Sequence, residues 1–153
     1  MIKLSNLADY AVVLMSHIAL RAEHIHPATE IAGETGIPAP TVSKILGMLV
    51  RADLLASHRG LNGGFSLRGD ADDITIADII EAVDGPVQLT NCLDVDDVCC
   101  DYQASCGTRG QWHKINQAVK GALNSVRLSE MLGAVPDFVG SDRKNRSAAK
   151  NVN

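Results

Sequence analysis

Five apolar residues, Val42, Ile45, Leu46, Leu49 and Val50, recur at i, i+3, i+4, i+7 and i+8. That spacing draws one continuous apolar stripe along an α-helix. The residues just before it, Ile37-Pro38-Ala39-Pro40, cannot continue a helix, because proline lacks an amide hydrogen and restricts its predecessor. A helix is therefore expected to start near Pro40 or Thr41. Its opposite face carries Thr41, Lys44, Met48 and Arg51, flanked by Ser43 and Gly47. Upstream, Pro27 suits the first position of a shorter helix, Ala28, Ile31 and Ala32 give it a buried face, and Gly36 suits the residue beyond its end. Leu7, Tyr10, Ala11, Leu14 and Ile18 mark an earlier helix between Ser5 and Leu20. A short helix, a tight turn at Gly36 and a helix with a small, polar, basic outer face make a helix-turn-helix.

The period then changes. Leu54, Leu55 and Ala56 precede His58-Arg59-Gly60-Leu61-Asn62-Gly63-Gly64, after which Phe65 and Leu67 alternate with Ser66 and Arg68. Asn-Gly between alternating segments is a strong short-range hairpin signal, so two short strands are expected to form a wing. Glycine there supplies positive φ or lets a backbone approach phosphates closely. Thr75 caps a fourth helix with Asp78 as capping-box partner, Ile76, Ile79, Ile80 and Val83 line it, and Gly85-Pro86 ends it. Residues 87–105 are acidic and lack periodicity, which predicts a loop. A long helix is expected from about Cys106 to Val126, with Trp112, Ile115, Val119, Ala122 and Val126 on a narrow seam that suits a partner helix or its own copy in a dimer. Leu128, Met131 and Leu132 add a turn or two, and from Gly140 the tail is polar and patternless, as in disordered segments. The fold class expected is mainly α with a small β-hairpin wing. Its organisation is a winged helix-turn-helix DNA-binding domain at 1–86, a cysteine-bearing loop at 87–105, a dimerisation helix and end turn at 106–139, and a tail at 140–153.

Composition narrows the function. Aromatic residues make up 3% of the 153-residue chain, too few for a platform that stacks single-stranded bases. No apolar run approaches the roughly 20 residues of a membrane span, and no basic segment precedes Ala11–Met15 as in a signal peptide, so a cytoplasmic protein is expected. The net charge of −4 argues against nucleic acid until it is localised. Between Thr41 and Arg68, Lys44, Arg51, Arg59 and Arg68 face one acid, Asp53, and the remainder of the chain is acidic. A basic surface confined to the second helix of the pair and the wing is the footprint of a double-stranded DNA contact.

All four cysteines, Cys92, Cys99, Cys100 and Cys106, fall within fifteen residues. Structural zinc wants Cys-x2-Cys knuckles, which the adjacent Cys99-Cys100 pair does not offer. Thiol–disulfide chemistry wants Cys-x-x-Cys in a βαβ setting, and no catalytic base accompanies these thiols. Cys92-x7-Cys100-x5-Cys106 suits an iron–sulfur cluster held by one loop and a helix end. Among the histidines, His17 reads as structural, His24 and His26 flank a turn, His58 neighbours Arg59, and His113 lies near the cysteine end of the long helix.

These motifs resemble those of the IscR-like winged helix-turn-helix transcription regulators that carry an iron–sulfur cluster. The likeness runs from the N-terminus to about residue 134. It rests on Leu4-x5-Tyr10-Ala11, Gly36-Ile37, Arg59-Gly60-x-x-Gly63-Gly64-Phe65-x-Leu67, Ile76-x-x-Ile79-Ile80-x-Ala82-Val83, the cysteines and Trp112. Asp9-Tyr10, Pro40-Thr41-Val42-Ser43-Lys44 and Ser57-His58-Arg59-Gly60 look most like the branch regulating the SUF system of cluster assembly. The resemblance implies a non-enzymatic homodimer on a palindromic operator, with a cluster, typically [2Fe–2S], on Cys92, Cys100 and Cys106. Cys99 is an alternative second ligand. The family's histidine three residues after the last cysteine is replaced by Arg109, which leaves His113, Cys99, a loop acid or a nonprotein group as fourth ligand. The DNA contacts expected are Thr41, Ser43 and Lys44 in the major groove, and Arg59, Asn62, Gly63 and Gly64 at the wing. A sibling regulator sensing nitric oxide or iron, a thiol-redox enzyme and a zinc-stabilised interaction module are the alternatives.

Overall fold

Ser5 opens the first helix. Its hydroxyl accepts from the Ala8 amide at 3.0 Å and donates to Asp84 Oδ1 at 2.8 Å, tying the start of one helix to the end of another. The computed structural model describes residues 3–90, 93 and 106–133. In chain order the elements are α1 (Asn6–Ala19), α2 (Ala28–Thr35), α3 (Ala39–Arg51), β1 (Leu55–His58), β2 (Gly64–Leu67), α4 (Ile76–Asp84), α5 (Arg109–Ser125) and α6 (Leu128–Met131). The architecture is the mainly helical, winged one expected.

The apolar stripes meet in one core. Leu14, Met15 and Ile18 of α1, Ile31 of α2, Val42, Ile45, Leu46 and Leu49 of α3, Leu55, Ile79 of α4 and Leu128 of α6 are buried together. Fully burying a Leu or Ile contributes about 1.5–3 kcal/mol, so this cluster fixes how the helices sit. Local chemistry sets the ends. Gly36 closes α2 at φ 72° in the left-handed region, and Pro38, not Pro40, stands before α3, which begins one residue earlier than expected. The Thr75–Asp78 capping box is present, with Thr75 Oγ1 accepting from Asp78 N at 3.1 Å and Asp78 Oδ2 accepting from Thr75 N at 2.9 Å. α5 starts at Arg109, three residues later than expected.

β1 and β2 pair antiparallel, with Leu55 opposite Leu67 and His58 opposite Gly64. The hairpin therefore closes over the five residues 59–63. Neither Asn62 nor Gly63 has positive φ; Gly60, at φ 110°, supplies it. A third short piece joins the sheet. His26 bridges Phe65, its N–H donating to Phe65 O at 2.8 Å and its O accepting from Phe65 N at 2.9 Å. The chain between α1 and α2 thus anchors the base of the wing. At the other end, Ile76 N donates to Val126 O and Leu128 N to Ile74 O, which holds the end of α5 against the start of α4.

Candidate DNA interface and cysteine segment

On α3 the first turn carries half-buried Thr41 and exposed Ser43 and Lys44. Arg51 is exposed at the other end, while Met48 leans into the core. β1 follows three residues after α3, and Arg68 N donates to Leu54 O at 3.1 Å, so the wing grows directly out of α3. Arg59 and Asn62 are exposed in the wing loop. Asp53, the lone acid of the basic region, is paired with Arg68 at 2.7 Å. Lys44, Arg51 and Arg59 are exposed and make no ion pair among the described residues.

Gly63 and Gly64 lack positive φ, and both lie close against their own chain. A Cβ on Gly63 would lie 2.5 Å from His58 O, and one on Gly64 would lie 2.5 Å from His26 O. The Gly63 amide donates to Gly60 O at 3.0 Å. Both residues are required for close approach of the wing to its own chain and to the His26 segment.

His26 is the functional-region residue that sequence reasoning missed. It is buried, its Nε2 lies 3.0 Å from Arg21 O, and its Nδ1 has no partner among the described residues. The one local signal is Pro27, which biases its predecessor toward extended backbone. Nearby, Glu34 of α2 sits 2.8 Å from His17 Nε2 and 2.7 Å from Arg21 Nη2, linking α2 to the end of α1. Burial pushes the His17 pKa below its ordinary value, and the Glu34 carboxylate partly opposes this.

Of the cysteines, Cys106 is described; Cys92, Cys99 and Cys100 lie outside the described residues. Cys106 precedes α5, with Sγ 3.3 Å from Thr108 Oγ1. The Thr108 hydroxyl, then its backbone amide, holds the thiol below the usual thiol range, as a thiolate ligand requires. His113 is exposed on α5 and accepts from the Gln117 amide at 3.0 Å. The other flank of the segment is fixed to the same helix. Asn116 Oδ1 accepts from Leu89 N at 3.0 Å while its Nδ2 donates to Val87 O at 2.9 Å. Glu81 of α4 accepts from Val87 N at 3.2 Å and from Lys120 Nζ at 2.7 Å. No residue of α5 is fully buried, and Trp112 and Ile115 stand 39% and 46% exposed on its seam.

Residues 4–134 match the Rrf2 family, described as iron-dependent transcriptional regulators. The chain belongs to that family. A Serratia proteamaculans protein named HTH-type transcriptional regulator IscR is 30% identical over 152 residues, spanning 99% of this chain and 92% of its own. Its Photobacterium profundum namesake is 33% identical over 131 residues, 85% of this chain and 75% of its own. Among solved structures, CymR, the global cysteine regulator of B. subtilis, superposes with a TM-score of 0.69 at 26% identity over 89% of this chain and all of its own. T. potens IscR gives 0.64 at 27% identity over 87% and 88%. Within the family the chain is IscR-like, and its relatives are named as regulators, in keeping with a non-enzyme. No helix among the described residues is long and apolar enough to cross a membrane.

Proposed function

We propose that the chain is a homodimeric repressor or activator that binds a palindromic DNA operator and responds to iron–sulfur supply through Cys92, Cys100 and Cys106, controlling SUF-type cluster-assembly genes. The observation that carries this reading is the match to a family of iron-dependent regulators, with Cys106 standing just before α5 and its Sγ 3.3 Å from Thr108 Oγ1. A [2Fe–2S] cluster on those thiolates would supply a redox-active, iron-dependent centre. The remaining work belongs to the chain. α3 enters the major groove with Thr41, Ser43 and Lys44 at its start, and Arg59 and Asn62 of the wing reach the adjacent backbone and minor groove. Two α5 helices pair along Trp112, Ile115 and Val119, which sets the half-site spacing. The cysteine segment is tied at both flanks to α5 and through Glu81 to α4, so a change in its order reaches both the pairing helix and the DNA-binding unit.

The test is anaerobic purification with visible absorption, iron and sulfide analysis. Duplex binding is then compared with and without reconstitution, for the wild type and for a variant with Cys92, Cys100 and Cys106 all changed to Ala. Iron and sulfide in the wild type, and binding that depends on reconstitution in the wild type alone, are expected. Identical binding under all conditions refutes the switch. The likeness to CymR favours a second reading, regulation linked to cysteine; a protein free of iron and sulfide that still selects a DNA duplex would favour it.

A further inference from the structure

Leu61 has no neighbour to pack on. It is 107% exposed, whereas the next most exposed large apolar side chain among the described residues, Leu20, is 49% exposed. Single surface leucines are ordinary in proteins, but this one is held out at the apex of the wing by a closed turn. Gly63 N donates to Gly60 O at 3.0 Å across Leu61 and Asn62, Gly60 takes φ 110°, and Gly63 tolerates no side chain. The turn is therefore preorganised, and its tip carries an apolar side chain two residues from the exposed Arg59. The wing's other large apolar residues, Leu55, Phe65 and Leu67, are packed in or against the core. One isolated side chain is far smaller than a protein-docking patch of several hundred Å². It does match a minor groove, about 6 Å wide, with apolar sugar walls between phosphate rims.

We infer that Leu61 is a specificity-determining contact, inserted from the wing tip into the minor groove as an apolar wedge beside Arg59. The inference rests on the DNA-binding reading above. Arg59 supplies charge, which falls off with salt; Leu61 supplies shape-dependent contact, which favours base steps that open or kink easily. The two residues thus read the same stretch of DNA through different physics.

The test starts from duplexes that the full-length wild type selects from a randomised library. Dissociation constants are then measured against salt for the wild type, Leu61→Ala, Leu61→Met and Arg59→Ala. Leu61 lies on the surface, so Leu61→Ala is expected to melt with the wild type. Its binding is expected to weaken by roughly tenfold with an unchanged salt slope, and its own selection to lose the preference at base pairs flanking the major-groove half-site. Leu61→Met is expected to restore most of the affinity. Arg59→Ala is expected to flatten the slope by about one unit per subunit. Equal affinity and equal flanking preference for Leu61→Ala overturn the inference while leaving DNA binding intact. If the wild type selects no duplex, the DNA-binding reading falls and Leu61 with it.

Discussion

Gly64→Ala separates two accounts of the wing, because they predict opposite signs. Gly64 does not occupy positive φ, so alanine fits its backbone and would ordinarily stabilise by about 0.4–1 kcal/mol through the unfolded chain. Close approach says otherwise. The new Cβ would lie 2.5 Å from His26 O, 2.6 Å from His26 C and 2.8 Å from Pro27 N, against 3.4 Å for ordinary contact. All three are backbone atoms, so no rotamer relieves the clash, and the segments must part by about 0.9 Å. That separation breaks both hydrogen bonds between His26 and Phe65. Each is worth about 1 kcal/mol net, and stranding buried groups adds about 1–3 kcal/mol. The expected loss is about 3–5 kcal/mol, or roughly 6–20 °C in Tm for a chain of this size. Thermal and urea melts by circular dichroism measure it. Gly33→Ala is the control: Gly33 lies inside α2 with nothing within 4 Å of its added Cβ, so it should gain about 0.5–1 kcal/mol. A Gly64→Ala protein as stable as the wild type, beside a stabilised Gly33→Ala protein, would refute the bridge as the wing's anchor.

Thr75→Ala removes the α4 cap and the 3.3 Å contact with Asn124 of α5; a loss of about 1–2 kcal/mol is expected in urea melts, with Thr75→Ser close to wild type. His17 is held below its ordinary pKa by burial, so the unfolded chain binds that proton first as pH falls, and stability drops below about pH 6.5. Melts between about pH 5 and pH 8 should show a steeper acid-side loss for the wild type than for His17→Gln; the reverse order contradicts the assignment. Ile115→Lys places a charge on the exposed α5 seam and is expected to give a folded monomer by sedimentation, with palindrome binding lost. Asn116→Ala frees Val87 and Leu89 from α5; unreconstituted protein should bind DNA as the wild type does, while the difference made by reconstitution shrinks.

Where local chemistry decides, the sequence was sufficient. The α3 stripe, the left-handed Gly36 and the Thr75–Asp78 box each depend on residues within one or two turns, and each stands as expected. The hairpin stands as expected, and its loop length is set by a contact outside the turn. Register that pairs buried Leu55 with Leu67 leaves residues 59–63 over as a loop. A turn centred on Asn62-Gly63 would shift the pairing by three residues, an odd slip that reverses which faces meet, and would carry Leu55 past the end of β2. Burying Leu55 is worth about 1.5–3 kcal/mol, more than a turn preference. His26 was missed because its contact, too, is distant in sequence. Its partner, Phe65, lies 39 residues away, and only Pro27 hinted at extended backbone. Of the candidate cluster ligands, Cys92 and Cys100 fall outside the described residues.

The charge of the chain also reads differently once ion pairs are placed. Arg68 is committed to Asp53, so the basic region offers Lys44, Arg51 and Arg59 to DNA, not four cations. A dimer would present six. At about 0.9 counterions released per phosphate, the salt slope for B-DNA should not exceed about 5.4 in magnitude, and nonspecific binding should be weak. On the proposed function, an affinity suited to regulation would then come from contacts that salt does not screen: hydroxyls at the start of α3, Asn62, and the apolar tip at Leu61. Weak electrostatics thus make the operator's sequence and shape matter more, because less of the total is shared with random DNA. A markedly steeper slope would place phosphate contacts outside α3 and the wing.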